Sequence, residues 1–125
     1  MNDNILIVED EAIVAMDLEM KLQSRGYKNI YIAYSGEDAV KIAKLNNPSV
    51  ILMDIKLQGD IDGIEAAKQI LEYCQIPIIY VTGNSDHVSN ERLLATNPYE
   101  VLIKPVAVWK LFEVIEKTID HDKTN

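Results

Sequence analysis

The chain has 125 residues, of which 48% are hydrophobic and 26% charged, and carries a formal net charge of -8. Such a chain folds as one globular domain with a sizeable core and little room for a second. Its acidic balance excludes a nucleic-acid groove, which needs clustered Lys and Arg to meet phosphate, and no such cluster occurs.

Ile5-Leu6-Ile7-Val8 reads as a first strand, apolar, rich in β-branched residues and buried on both faces, and it runs into Glu9-Asp10-Glu11. A first helix is predicted over Ala12 to Arg25, with Gly26 as its C-terminal stop. Val14, Leu18 and Leu22 form one apolar stripe on it, while Ile13, Met16 and Met20 form another on a different side. Asn29 to Ala33 is the second strand, made edge-like by Tyr27, Tyr31 and Tyr34. Ser35, with Asp38 three residues on, caps a second helix that runs to Leu45 and stops at Asn46-Asn47-Pro48.

The stretch Ser49 to Ile55 carries four consecutive apolar residues into one carboxylate, Asp54, and is the third strand. A Gly/Asp-rich loop, Lys56 to Gly63, leads to a third helix with Ile64, Ala67, Ile70 and Leu71 on its apolar positions. Cys74 falls in an apolar helical stretch and reads as core packing; as the single cysteine it forms no internal disulfide, which points to a reducing compartment. Pro77 opens a fourth strand, Ile78 to Val81, which ends in Thr82-Gly83. Ser85 is the expected cap of a fourth helix reaching Ala95 and carrying Val88, Leu93 and Leu94. Val101 to Ile103 forms a short fifth strand that ends in Lys104-Pro105. The last helix buries Val108, Leu111, Phe112, Ile115 and Ile119, with Trp109 beside that face, and leaves His121 to Asn125 as a polar tail.

Five alternations of strand and helix joined by short loops predict a single doubly wound α/β domain with a parallel sheet, residues 1–120; periodicity leaves the strand order open. Ligands of such sheets bind at the carboxyl ends of the strands. There the chain places Glu9 and Asp10, Asp54, Thr82 and Lys104, brought to one edge without being neighbours in sequence. Two like charges 4 Å apart repel by about 4 kcal/mol at an effective dielectric near 20, so crowded carboxylates need a cation or a raised pKa. An all-oxygen, highly charged set favours Mg2+ or a similar hard ion. An ammonium and a hydroxyl beside it suit a phosphoryl group. No stretch approaches the length of a membrane span or resembles a signal peptide, so a cytoplasmic location is expected.

Val8-Glu9-Asp10-Glu11, Leu52-Met53-Asp54, Asp62-Gly63, Val81-Thr82 and Lys104-Pro105, in this order, resemble the receiver domain of two-component response regulators. The likeness covers nearly the whole chain. It implies a flavodoxin-like sheet of order 2-1-3-4-5, with Asp54 as phosphoacceptor for a histidine kinase or phosphotransfer protein. It further implies Mg2+ (or Mn2+) held by Asp10, Glu9, Asp54 and the backbone carbonyl of Lys56, with Thr82 and Lys104 on phosphoryl oxygens. A cis peptide bond before Pro105 also follows from it. The implied protein is no turnover enzyme but catalyses its own phosphorylation and slow dephosphorylation, and it signals to an output protein or domain.

Three positions depart from the family pattern. Val101 stands where a Tyr or Phe usually serves, with Thr82, as the switch; Gln58 stands where Pro is frequent; and the loop around Gly59 and Asp60 is longer than usual. With the aromatic absent, Trp109, Tyr99 and the Ile13, Met16 and Met20 stripe are the candidate interaction surface, for a homodimer or a docking partner. Two alternatives remain. One is a degenerate receiver that acts as a phosphorylation-independent module. The other is a small phosphatase of the haloacid dehalogenase type, whose second Asp would stand two residues after the nucleophile, where this chain has Lys56. Neither Gly-rich nucleotide-binding pattern occurs. The chain is expected to be either a stand-alone receiver or one excised from a larger regulator or hybrid kinase.

Overall fold

In the computed structural model, which describes residues 3–85 and 90–124, the apolar runs become strands and the amphipathic segments helices. The order is β1 (Asn4–Val8), α1 (Ala12–Ser24), β2 (Asn29–Ala33), α2 (Gly36–Asn46), β3 (Val50–Asp54), α3 (Gly63–Leu71), β4 (Ile78–Thr82), α4 (Glu91–Ala95), β5 (Glu100–Ile103) and α5 (Val108–Thr124). All strand pairs are parallel, and the sheet order is β2-β1-β3-β4-β5. This is the doubly wound, flavodoxin-like arrangement that the resemblance implied.

Side chains alternate across each strand, so one strand feeds two cores. Leu6, Val8, Ile51, Met53, Ile78 and Tyr80 face α2, α3 and α4. Ile5, Ile7, Val50, Leu52, Ile79 and Leu102 face α1 and α5. Burial on both faces is why β1 and β3 read as unbroken apolar runs; each such side chain contributes about 1.5–3 kcal/mol by leaving water. The register pairs Val8 with Met53, Asp54 with Val81 and Thr82 with Ile103, which aligns the carboxyl ends of β1, β3, β4 and β5 along one edge.

Local signals explain most helix starts. Ser35 Oγ accepts the Asp38 amide at 3.1 Å, as its spacing predicts. Asp62 Oδ1 accepts the Glu65 amide at 2.8 Å and caps α3. The α-helix expected from Ser85 instead begins after Asn90, whose backbone is extended and whose side chain accepts from the Arg92 and Leu93 amides. Val88 lies outside the described residues.

Four further expectations are revised. Tyr27 is not an exposed neighbour of the edge strand but is buried under α1 and α5, and burial raises its phenol pKa. Val108 is 39% exposed, because it sits in the first turn of α5, ahead of the buried face that starts at Leu111. Cys74 lies past the end of α3 and only partly in the core, its amide turned back to the Ile70 carbonyl. Finally, α5 continues to Thr124, into the segment read as a polar tail. No described helix is long and apolar enough to cross a membrane.

Candidate functional site

The site is built where four strands end. Glu9 follows β1 directly and is only 2% exposed. Its Oε2 accepts the Glu11 amide at 3.0 Å, and its Oε1 accepts from Lys104 Nζ at 3.1 Å. Lys104, after β5, also donates to Asp54 Oδ2 at 3.3 Å and so bridges the ends of β1 and β3. Its amide donates to the Thr82 carbonyl at 2.8 Å, and a cis peptide joins it to Pro105. Asp10 Oδ2 accepts the Gln58 amide at 3.2 Å, which ties it to the loop after β3.

Ligand oxygens of Glu9, Asp10 and Asp54 lie within 4.8 Å of one another. Burial pushes the Glu9 carboxyl above its usual range, and the Asp54 charge adds to this; the Glu11 amide and Lys104 offset it only in part. Burial alone would lower the Lys104 ammonium, but Asp54 and Glu9 outweigh it and hold it raised. Lys104 pairs with only two of the three clustered carboxylates, so an oxygen-rich, negatively charged socket remains that fits a hard divalent cation.

Beside it lies a cavity of about 450 Å³ lined by Asp54, Lys56, Leu57, Asp62, Thr82 and Asn84, among others. Thr82 is buried, and its Oγ1 accepts the Asn84 amide at 3.2 Å. The floor is held by α3. Gly63 N–H donates to the Ile55 carbonyl at 2.7 Å, and the helix comes so close that a Cβ on Gly63 would stand 2.0 Å from the Asp54 carbonyl oxygen. Asp62 forms a two-pronged pair with Arg92 of α4, both N···O distances 3.1 Å. Burial would raise the Asp62 carboxyl, yet Arg92 and the Glu65 amide more than offset this and hold it below its usual value.

The structure therefore brings Glu9, Asp10, Asp54, Thr82, Lys104 and Lys56 to one edge. It does not bring the others there. Val101 is partly buried in the core and pairs in register with Tyr80 of β4. Tyr80 is wholly buried, its hydroxyl 2.7 Å from Thr96 Oγ1, and burial pushes its pKa up to about 12. Ile13, Met16 and Met20 on α1, Trp109 on α5 and Tyr99 before β5 are all exposed and outside the cavity.

The capping role of Asp62 and its partner Arg92 were not anticipated from the sequence. The cap was readable, since Asp62 precedes an apolar periodic run and Glu65 follows three residues later. The ion pair was not, because it joins the cap of α3 to α4, elements far apart in sequence.

Residues 5–116 match the family model described as the response regulator receiver domain. The transcriptional regulatory protein PdtaR of Mycobacterium tuberculosis is 35% identical over 117 residues, covering 94% of this chain and 57% of that protein. The chain spans about half the length of the curated relatives it matches. The signal receiver domain of a modulated diguanylate cyclase from Desulfovibrio desulfuricans superposes with a TM-score of 0.87 at 37% identity, over 97% of this chain and 96% of that one. TrrA of Thermotoga maritima, solved in complex with Mg(2+)-BeF, superposes at 0.84 with 31% identity, over 93% and 98% of the two chains.

Proposed function

Because the chain belongs to the response regulator receiver family of two-component signalling, we propose that it accepts a phosphoryl group on Asp54 from a phosphohistidine and signals by a conformational shift. The observation that carries this reading is the convergence of Glu9, Asp10 and Asp54 within 4.8 Å, with Lys104 bridging two of them. The donor is a histidine kinase or phosphotransfer protein; the receiver of the signal is an output protein or domain, and the setting is the cytoplasm.

Lys104 holds Asp54 Oδ2, and Oδ1 is the nucleophile. As Oδ1 bonds to phosphorus, the P–N bond to the kinase imidazole breaks, and its electron pair stays on nitrogen. The product is an acyl phosphate on Asp54 and a neutral histidine. Glu9, Asp10, Asp54 and the Lys56 carbonyl would hold Mg2+ (or Mn2+), which when bound would supply charge neutralisation for the phosphoryl oxygens. Lys104 moves its ammonium to one phosphoryl oxygen, and the Thr82 hydroxyl donates to another. Positioning and electrostatics of this kind supply most of the catalysis in phosphoryl transfer. The chain has no acid two residues after Asp54, where Lys56 stands, so turnover is limited to slow self-dephosphorylation. The exposed apolar side chains of α1 and α5 serve homodimerisation or partner docking.

Incubation with acetyl phosphate and Mg2+, followed by intact mass, should add one phosphoryl group. Chelation of the metal or Asp54→Asn should remove the addition; undiminished labelling of the variant would sink the assignment.

A further inference from the structure

The start of α2 lies beneath the loop that joins β3 to α3. Gly36, its first residue, is buried so tightly that a Cβ would stand 2.6 Å from Ile61 Cγ1 and 3.2 Å from the Ile61 carbonyl. Glu37 turns its carboxylate to the same loop, with Oε2 3.5 Å from the Asp60 amide nitrogen. Both oxygens lie against Gly59, where a Cβ would stand 3.1 and 3.3 Å from them, and Gly59 has a φ of 112°, open mainly to glycine. Glu37 Oε1 is buried with no hydrogen-bond partner among the described residues. A buried oxygen left unsatisfied costs free energy, so its retention calls for a reason outside local stability.

The loop above Glu37 supplies that reason. Its Gln58 amide holds Asp10 Oδ2 at 3.2 Å, and Lys56 lines the cavity beside Asp54. We propose that Glu37 is a positioning residue for the cation site, anchoring residues 58–60 so that the Gln58 amide fixes Asp10. This rests on the reading of Glu9, Asp10 and Asp54 as a divalent-cation site. An O···N separation of 3.5 Å is a weak bond. The loop therefore has room to close on the carboxylate as Asp10 is drawn toward the other two acids. Gly59 suits this approach, since its φ disfavours any side chain and a Cβ there would press on the carboxylate at 3.1 and 3.3 Å. No Pro stiffens this segment, Gln58 standing where one is frequent in the family, and the anchor comes from α2 instead.

Amide hydrogen exchange without metal and Mg2+ titration followed by melting temperature, both on the intact chain, test this. In Glu37→Ala, exchange at Gln58 and Asp60 should quicken while β1 and β3 amides stay protected. Affinity for Mg2+ should fall about tenfold, the low end of what loss of an outer-sphere partner costs. Glu37→Gln keeps an acceptor of the same reach and should recover most of both. A wild-type response to Mg2+ that Glu37→Ala leaves unchanged overturns this inference alone. No Mg2+ response in the wild type overturns the cation-site reading, and this inference falls with it.

Discussion

Gly63→Ala should damage the site from beneath. The new Cβ would stand 2.0 Å from the Asp54 carbonyl oxygen and 2.9 Å from both the Asp54 carbonyl carbon and Ile55 Cα. Real Cβ contacts essentially never fall under 3.0 Å, so about 1 Å must open between α3 and the end of β3 in a close-packed interior. All three neighbours are backbone atoms, and no side chain can swing aside. The same shift stretches the 2.7 Å bond from the Gly63 amide to the Ile55 carbonyl. Overpacking of this kind costs about 1–3 kcal/mol and a weakened hydrogen bond about 1 kcal/mol. The better helix propensity of alanine returns at most about 1 kcal/mol, and less at a first helical residue. Urea unfolding should therefore show a loss of about 2 kcal/mol with an unchanged slope. Phosphorylation by a small donor should slow by about 100-fold, the cost of displacing a reacting group by about 1 Å. Gly83→Ala is the control: a Cβ there meets nothing within 4 Å, so its effect should stay within about 0.5 kcal/mol. A Gly63→Ala chain with wild-type stability and labelling rate would refute the reasoning.

Millimolar Mg2+ should raise the melting temperature; a hundredfold excess over Kd adds about 2.7 kcal/mol of stability. Asp10→Asn should raise it without metal and lose most of the Mg2+ response, because one of three mutually repelling carboxylates is gone. The Asp62 carboxyl is held below its ordinary value of 3.8, so its contribution is complete above that pH and is lost as pH falls through the folded-state value. The stability gap between wild type and Asp62→Asn, about 1 kcal/mol at neutral pH for a half-exposed ion pair, should thus close on acidification below about pH 4; asparagine keeps the helix cap. Met16→Glu should abolish any self-association seen by sedimentation of the beryllofluoride-treated chain without altering its fold, whereas a wild type that stays monomeric leaves α1 only as a docking surface for a separate protein.

The strands and the site were legible for one physical reason. A strand buried on both faces must be apolar throughout, so the polar residue that ends it is conspicuous, and a parallel sheet carries all such ends to one edge. Glu9, Asp54, Thr82 and Lys104 each stand at or just past such a strand end. What escaped depends on contacts between elements distant in sequence. The Tyr27 ring looked like edge-strand decoration until α5, from the other end of the chain, covered it. The pairing of Val101 with Tyr80 across the strands was likewise out of reach of periodicity, which leaves the strand order open. Ser35 and Ser85 both read as helix caps in the sequence; Ser35 caps α2, whereas α4 is capped by Asn90, which offers its side-chain oxygen to two amides at once. Glu37 is an acidic residue in the first turn of α2 with no distinguishing sequence signal, and only the path of the β3–α3 loop reveals what its carboxylate meets.

The central claim is that Asp54 alone carries the phosphoryl group. Borohydride reduces an aspartyl phosphate to homoserine, so treating the phosphorylated chain with it and mapping its peptides by mass reads out the modified residue directly. The account predicts homoserine at position 54 and nowhere else, in a yield that disappears when Mg2+ is chelated before phosphorylation. Conversion at Asp10 or any other carboxylate, or a phosphorylated chain with no homoserine at all, would contradict it.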